Sequence, residues 1–143
     1  MTKQIKPSEF AKVIQQDVER YRSAAVVALY DEAVKIINKS VRVTPFKNGD
    51  LRRSAFVSKP SYEGNEIAIE LGYGGLASKY ALAVHEMPKS NNFTEPGTGP
   101  KYLERPFDEA KRGQAKRLQA NTFRRFLGNY SNRIVYTANT EPK

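Results

Sequence analysis

Apolar residues Phe10, Val13, Ile14, Val18, Tyr21, Ala25, Ala28, Leu29, Ala33, Ile36 and Ile37 recur at steps of three and four, the spacing that lines one side of an α-helix. The pattern predicts a helix over residues 7–39, with Pro7 suited to its first turn and Ser8 as an alternative cap. At 1.5 Å per residue such a helix reaches roughly 48 Å. A rod of that length bends, breaks near Ser23 to Val27, or extends past the core and offers its apolar stripe to a neighbouring subunit; its C-terminal half can equally pack across its own sheet.

The period changes at TPFKNGDLRRSAFV, residues 44–57. Thr44 stands before a proline and is held extended, which ends the helix; Asn48-Gly49 allows a tight turn with positive backbone angles, and Asp50 can cap a short turn before the strand. The segment therefore predicts a rigid corner, with Leu51 anchored in the core. Arg52 and Arg53 are adjacent and cannot both point inward, so at least one is presented outward, which suits a contact between subunits and equally a plain exposed arginine.

Two period-two segments follow, Ser54 to Ser58 and Glu66 to Leu71, with residues 61–65 as the hairpin connection of an antiparallel pair. Tyr80 to Glu86 also alternates and predicts a third strand, with a short helix from Ala77 as the alternative because alanine favours it. Residues 87–101, MPKSNNFTEPGTGPK, have no apolar period and predict an exposed loop that orders against a partner, with Phe93 as its apolar contact. Pro106 opens a predicted second helix running to about Gly128, with Asp108 and Glu109 early and Arg124 and Arg125 late, as the helix dipole favours. Ile134 to Tyr136 predict a short last strand, and residues 137–143 a frayed tail.

The expected fold is α+β: one domain over residues 1–143, a long N-terminal helix and a basic C-terminal helix packed on a small, mainly antiparallel sheet. At 143 residues the chain can bury one core. No apolar run approaches the 18 or more residues of a spanning helix, and the polar start MTKQIKPSEF lacks the apolar stretch of a secretory signal, so no membrane partner and folding in a cytoplasm are expected. The absence of cysteine excludes disulfides, thiolate nucleophiles and cysteine metal sites.

The net charge is +9, and residues 101–143 hold ten basic against four acidic side chains. The excess suits a nucleic acid, an anionic surface or an acidic protein, and equally a solvated face. The basic stretch around AKRLQANTFRRFLGNYSNR offers phosphate-neutralising bases, Lys116, Arg117, Arg124 and Arg125 within it and Lys111 and Arg112 just before it, and aromatics able to stack, Phe123, Phe126 and Tyr130. Leu118, Phe126 and Leu127 also form an apolar stripe at helical spacing, which favours core or subunit interface for the aromatics, and no nucleic-acid fold signature accompanies them.

Motifs for catalysis fail on spacing. His85-Glu86 starts like a helical zinc site, but position 89 is Lys and His85 is the sole histidine. It reads as a structural hydrogen-bonding residue or a partner contact, and no metal is expected. Any serine triad would have to use His85, and no serine lies in a nucleophile elbow. Gly97 to Lys101 lacks the spacing and the following hydroxyl of a phosphate loop, and Gly72-Tyr73-Gly74-Gly75 misses the dinucleotide pattern and suits a sharp turn at a strand end. Asp31-Glu32 and Asp108-Glu109 are neighbours on a helix, about 100° apart, and cannot converge on one bond. No cofactor and no catalytic residue are expected.

Three segments, in order, resemble the small neck proteins of tailed bacteriophages, the tail-completion or head-to-tail joining family. After a long helix, Thr44-Pro45 with Gly49, Leu51, Arg53 of the adjacent arginine pair, and Ser54 is similar to the family's corner, in which Thr-Pro is followed by Thr-Gly, Leu, Arg and Ser. Tyr80-Ala81 with Val84 and Glu86 resembles its "YA..VE" segment, and Lys101-Tyr102-Leu103 with Pro106 its "KFL..P" entry to the last helix. Asn48 stands where the family has Thr, and Met87-Pro88 where it has a glycine-containing turn. The resemblance implies a non-enzymatic virion protein, made in the host cytoplasm, that forms a ring at the neck. Its expected partners are copies of itself, portal or adaptor and other neck proteins, tail proteins and nearby genomic DNA, with Arg52, Arg53, His85, Glu86, Phe93, Arg124 and Arg125 as contact candidates.

Overall fold

The computed structural model describes residues 4, 6–47, 49–88, 93 and 95–138, with only the backbone described over 129–138. The elements run α1 (Pro7–Val43), α2 (Asp50–Arg53), β1 (Ala55–Val57), β2 (Ser61–Glu63), β3 (Glu66–Ala68), β4 (Leu71–Tyr73), a 3-10 turn (Gly75–Ala77), α3 (Ser78–His85), α4 (Glu104–Lys111) and α5 (Gln114–Ala138). Helices with small antiparallel sheets make this an α+β protein, as the periodicities predict. The chain divides into two compact units, Met1–Ala28 with Lys116–Lys143, and Leu29–Ala115. No described helix is long and apolar enough to cross a membrane.

In the unit of residues 29–115, Ala33, Ile36, Ile37 and Ser40 on α1 are buried at three- and four-residue steps, the stripe expected of a helix with one covered side. The core is small: Leu51, Ala77, Ala81 and Tyr102, with Val43, Tyr73, Val84 and Leu103 packed against it. Tyr102 is 1% exposed, and covering an aromatic side chain of this size is worth about 1.5–3 kcal/mol.

β1 pairs antiparallel with β4, Phe56 opposite Gly72, and the ladder extends to Ser58 N–H on the Glu70 carbonyl and Gly74 N–H on the Ser54 carbonyl. Ser54 to Ser58 is thus a strand, as its alternation predicts, but its partner is not the whole run 66–71. That run breaks at Ile69 and Glu70: its first half is β3, which pairs with β2, and its second begins β4. Residues 61–65 are therefore a strand and a two-residue loop, with Gly64 at φ 58°, where type II′ hairpins put glycine.

Three further expectations are corrected. The strand expected over Tyr80 to Glu86 is instead the alternative short helix, Ser78–His85 with Ala77 at its N-cap, because Gly75 at φ 61° turns the chain and a one-sided helix sends Ala81 to the core. The single helix over 106–128 is two helices: α4 begins at Glu104, leaving Pro106 in its first turn where proline is tolerated, and stops at Arg112-Gly113, with Gly113 at φ 66°. Ile134 to Tyr136 continue α5, so helix propagation overrides the strand preference of these β-branched and aromatic residues. The long helix itself runs four residues past the predicted Lys39, to Val43.

The loop expected over 87–101 is exposed only in part. Gly99 and Pro100 are buried, Gly99 N–H bonds the Val43 carbonyl at 3.1 Å, and Lys101 N–H bonds the His85 carbonyl at 2.8 Å. Residues 89–92 and 94, Asn48 in the corner, and 139–143 of the predicted tail lie outside the described residues, as do the side chains of Tyr130 and of 134–136.

In the other unit, Tyr21 on α1 and Phe126 on α5 meet edge to face at 5.5 Å, and Ala24, Ala28 and Thr122 are buried. Phe10, Val13, Ile14, Val18, Phe123 and Leu127 are exposed. This unit carries eleven basic against four acidic residues, most of the chain's net charge.

Candidate functional site

The corner is built on the C-terminal end of α1. A helix leaves its last carbonyls without partners inside the helix, and Thr44-Pro45 prevents another turn. Here the Val43 carbonyl receives Gly99 N–H, and the Thr44 carbonyl receives Arg52 Nε at 3.0 Å and Nη2 at 2.8 Å. Arg52 also pairs with Glu95 and lies over the Phe46 ring, 5.1 Å from its centroid. The guanidinium is thus a cap, favoured further by the negative end of the helix dipole. Arg53 is the outward one of the pair, exposed and ion-paired to Asp50. Leu51 anchors the corner in the core, as predicted. The residue in the cap position of α2 is Gly49, at φ 82°, and Asp50 is the first residue of the helix.

Behind the corner three hydroxyls close a ring. Thr44 Oγ1 donates to the Ser40 carbonyl at 2.7 Å, which uses its only proton, so its 2.8 Å contact with Tyr73 is accepted. Tyr73 therefore donates to Thr44, and the 2.7 Å contact between Ser40 Oγ and Tyr73 is donated by Ser40. Ser40 and Thr44 are fully buried, where an unmet hydroxyl is costly. Burial raises the Tyr73 phenol's pKa against the pull of its bonds with Ser40 and Thr44 and the charge of Arg52.

Tyr73 meets Tyr102 edge-on at 5.0 Å, and Tyr102 meets His85 in the same manner at 5.0 Å, while its hydroxyl donates to the Ala81 carbonyl at 2.7 Å. Burial, then the neighbouring Tyr73 and Tyr80, push the Tyr102 phenol up to about 12. His85 Nδ1 lies 2.8 Å from Glu86, and Lys101 Nζ contacts both Glu86 oxygens at 2.8 and 2.6 Å and Glu104 at 3.2 Å. The hydrogen bond from Lys101, then that with His85, holds the Glu86 carboxyl below its ordinary range, and the bond to Glu86, then that to Glu104, raises the Lys101 ammonium. Lys101 does this from a left-handed backbone, φ 56°, a conformation costing a non-glycine residue about 1–2 kcal/mol.

Two predicted contacts, Arg52 and His85, are thus joined by a packed chain through Thr44, Tyr73 and Tyr102. Sequence reasoning missed Tyr73, taken as part of a turn, together with Ser40, Glu95 and Glu104. Only the spacing of Ser40 and Thr44, four apart at a helix end, offered a signal. Phe93 is half-buried, and Arg124 and Arg125 lie exposed on α5 in the other unit.

His85, Glu86 and Glu104 bring donor atoms within 4.8 Å of one another, a set able to ligate a divalent cation. The Lys101 ammonium already sits on both carboxylates and would have to leave for an ion to enter. Beside them an open pocket of about 360 Å³ is lined by Ile69, Leu71, His85, Leu103, Glu104 and Phe107, mostly apolar with His85 and Glu104 as its polar members. Comparison with protein-family models, curated proteins and solved structures finds no match.

Proposed function

We propose that the chain is a structural, non-enzymatic virion protein of a tailed phage, assembling as a ring at the neck and joining head to tail. The observation that carries the reading is the convergence of the three segments that resemble the neck family. Thr44, Gly49 and Leu51 from the first, Ala81 from the second, and Tyr102 and Pro106 from the third are all buried, and Glu86 of the second pairs with Lys101 of the third. Segments far apart in sequence serve one core, as a fold signature requires, and leave chemistry to the surface. The exposed apolar side chains of α1, Phe10, Val13, Ile14 and Val18, give copies or neck partners something to cover. Light scattering and negative-stain microscopy of the purified chain, with and without portal and tail subunits, test this: a ring or a defined complex is expected. A monomer that joins neither partner and is missing from infectious particles overturns it.

A second reading, a nucleic-acid-binding module, is favoured by residues 114–128, which hold Lys116, Arg117, Arg124 and Arg125 and no acid. It requires binding whose affinity falls steeply with salt. Retention of duplex or single-stranded DNA only at the lowest ionic strength, with no assembly, would replace the first reading by this one.

A further inference from the structure

Two exposed elements carry charge of one sign only. Residues 61–70, the β2–β3 hairpin and its exit, contain Glu63, Glu66 and Glu70 and no base; residues 114–128 of α5 contain four bases and no acid. All three glutamates are exposed, and the hairpin is exposed along its length except for the half-buried Ile67. Glu63 and Glu66 stand directly opposite each other across the two strands, an arrangement that destabilises a sheet unless a cation lies against it. A two-stranded hairpin is itself marginal in water and gains from packing against a helix.

The helix of matching chemistry is α5. Lys116, Ala120, Phe123 and Leu127 fall at steps of four, three and four and so share one face, with Arg117 and Arg124, seven apart, beside them. All six are exposed. Leu118, Thr122 and Arg125 belong to the neighbouring face, on which Thr122 is buried.

We infer that the acidic β2–β3 hairpin of one copy docks on the Lys116–Arg117–Arg124 face of α5 of a second copy. The inference deepens the ring reading and rests on it. Because the two patches differ, each copy offers one and receives the other, a heterologous contact that propagates and closes into a ring if its rotation closes. Exposed ion pairs add little affinity singly; their service here is polarity, since like meeting like is repelled. Phe123 and Leu127 on the same face supply apolar area to cover.

The test is a charge-swap mixture. One variant carries Glu63→Lys, Glu66→Lys and Glu70→Lys, the other Lys116→Glu, Arg117→Glu and Arg124→Glu. Alone, each variant juxtaposes like charges and is expected to elute at the monomer mass of 16.2 kDa, with a circular-dichroism spectrum and melting transition like the parent's. Mixed in equal amounts, reversed hairpin meets reversed helix and native meets native, so assembly should return with the two variants alternating. Assemblies of parental size from each variant alone overturn the hairpin–helix contact while leaving the ring reading standing. A parent chain that stays monomeric at every concentration, alone, with both variants and with portal and tail subunits, ends the inference and the ring together. Loss of DNA retention in the helix variant, with its assembly intact, assigns the basic face to nucleic acid and also overturns the contact.

Discussion

Arg52 closes the Thr44 carbonyl with two hydrogen bonds, although eight residues and a turn separate them. This side chain ties the end of the helix that stops at Val43 to the short helix that leads into the strand starting at Ala55. Arg53, one residue on, reaches only Asp50 at the surface among its described ion pairs.

The two arginines should therefore differ sharply. Arg52→Ala strips a charged donor from the carbonyl of the fully buried Thr44 and removes the ion pair with Glu95, an expected loss of about 1.5–3 kcal/mol. Arg53→Ala should stay within about 0.5 kcal/mol. Urea denaturation of both variants decides it; equal midpoints would deny the capping role.

Removing the phenol oxygen of Tyr73 should cost about 1–3 kcal/mol, because Ser40 loses its acceptor in a buried site. Thr44→Ser, which keeps the hydroxyl ring, should be milder than Tyr73→Phe. The reverse order of thermal midpoints would mean that packing by the Thr44 methyl, and not the ring, holds the corner.

Gly49→Ala should destabilise by about 1–2 kcal/mol from its positive φ alone, and more if the neighbours cannot yield. A methyl there would lie 2.8 Å from Arg53 Nη1 and 3.1 Å from the Phe46 ring. Arginine can move aside at the surface, whereas Phe46 is held under Arg52, so a combined Gly49→Ala and Phe46→Leu chain should recover part of the loss in a melting experiment.

Acid and base should act on opposite sides of neutrality. The Glu86 carboxyl is depressed, so its contribution is whole above the ordinary value of 4.5 and is lost as pH falls through the lower folded value. Lys101 and Tyr102 are raised, so theirs are whole below their ordinary values of 10.5 and 10.0 and are lost as pH rises through the folded ones, about 12 for Tyr102. Carbon-detected NMR should find Glu86 titrating below 4.5 in the parent and moving up in Lys101→Met; an unmoved titration would disprove the pairing in solution.

What the sequence disclosed depended on how locally each feature is decided. The stripe from Ala28 to Ile37 and the stop at Thr44-Pro45 are matters of spacing and of proline, and both were legible. Ser78 to His85 alternates like a strand only because alanine fits either period; the choice falls to Gly75 and to the demand for Ala81 in the core, which no window of residues reveals. Gly113 was overlooked within a segment of helix-forming residues, although its positive φ is what ends α4. Arg52 was singled out for the right reason, that two adjacent arginines cannot share an environment, yet its inward partner is a carbonyl and has no side-chain signature. Tyr73 sat in a glycine-rich stretch that suggested only a turn, and its partners lie 29 and 33 residues away.

The one-way circuit of Ser40, Tyr73 and Thr44 sets a limit on what the joint behind the corner can become. Each oxygen spends its single hydrogen on the next acceptor, so none is left to greet an arriving phosphate, carbonyl or solvent molecule. To ionise, Tyr73 would have to give up the hydrogen it donates to Thr44, keeping only the bond it accepts from Ser40, and burial opposes the charge that would remain. With Ser40 and Thr44 fully buried and every hydrogen of the circuit spent, the corner in front of it is backed by a joint with one bonding pattern.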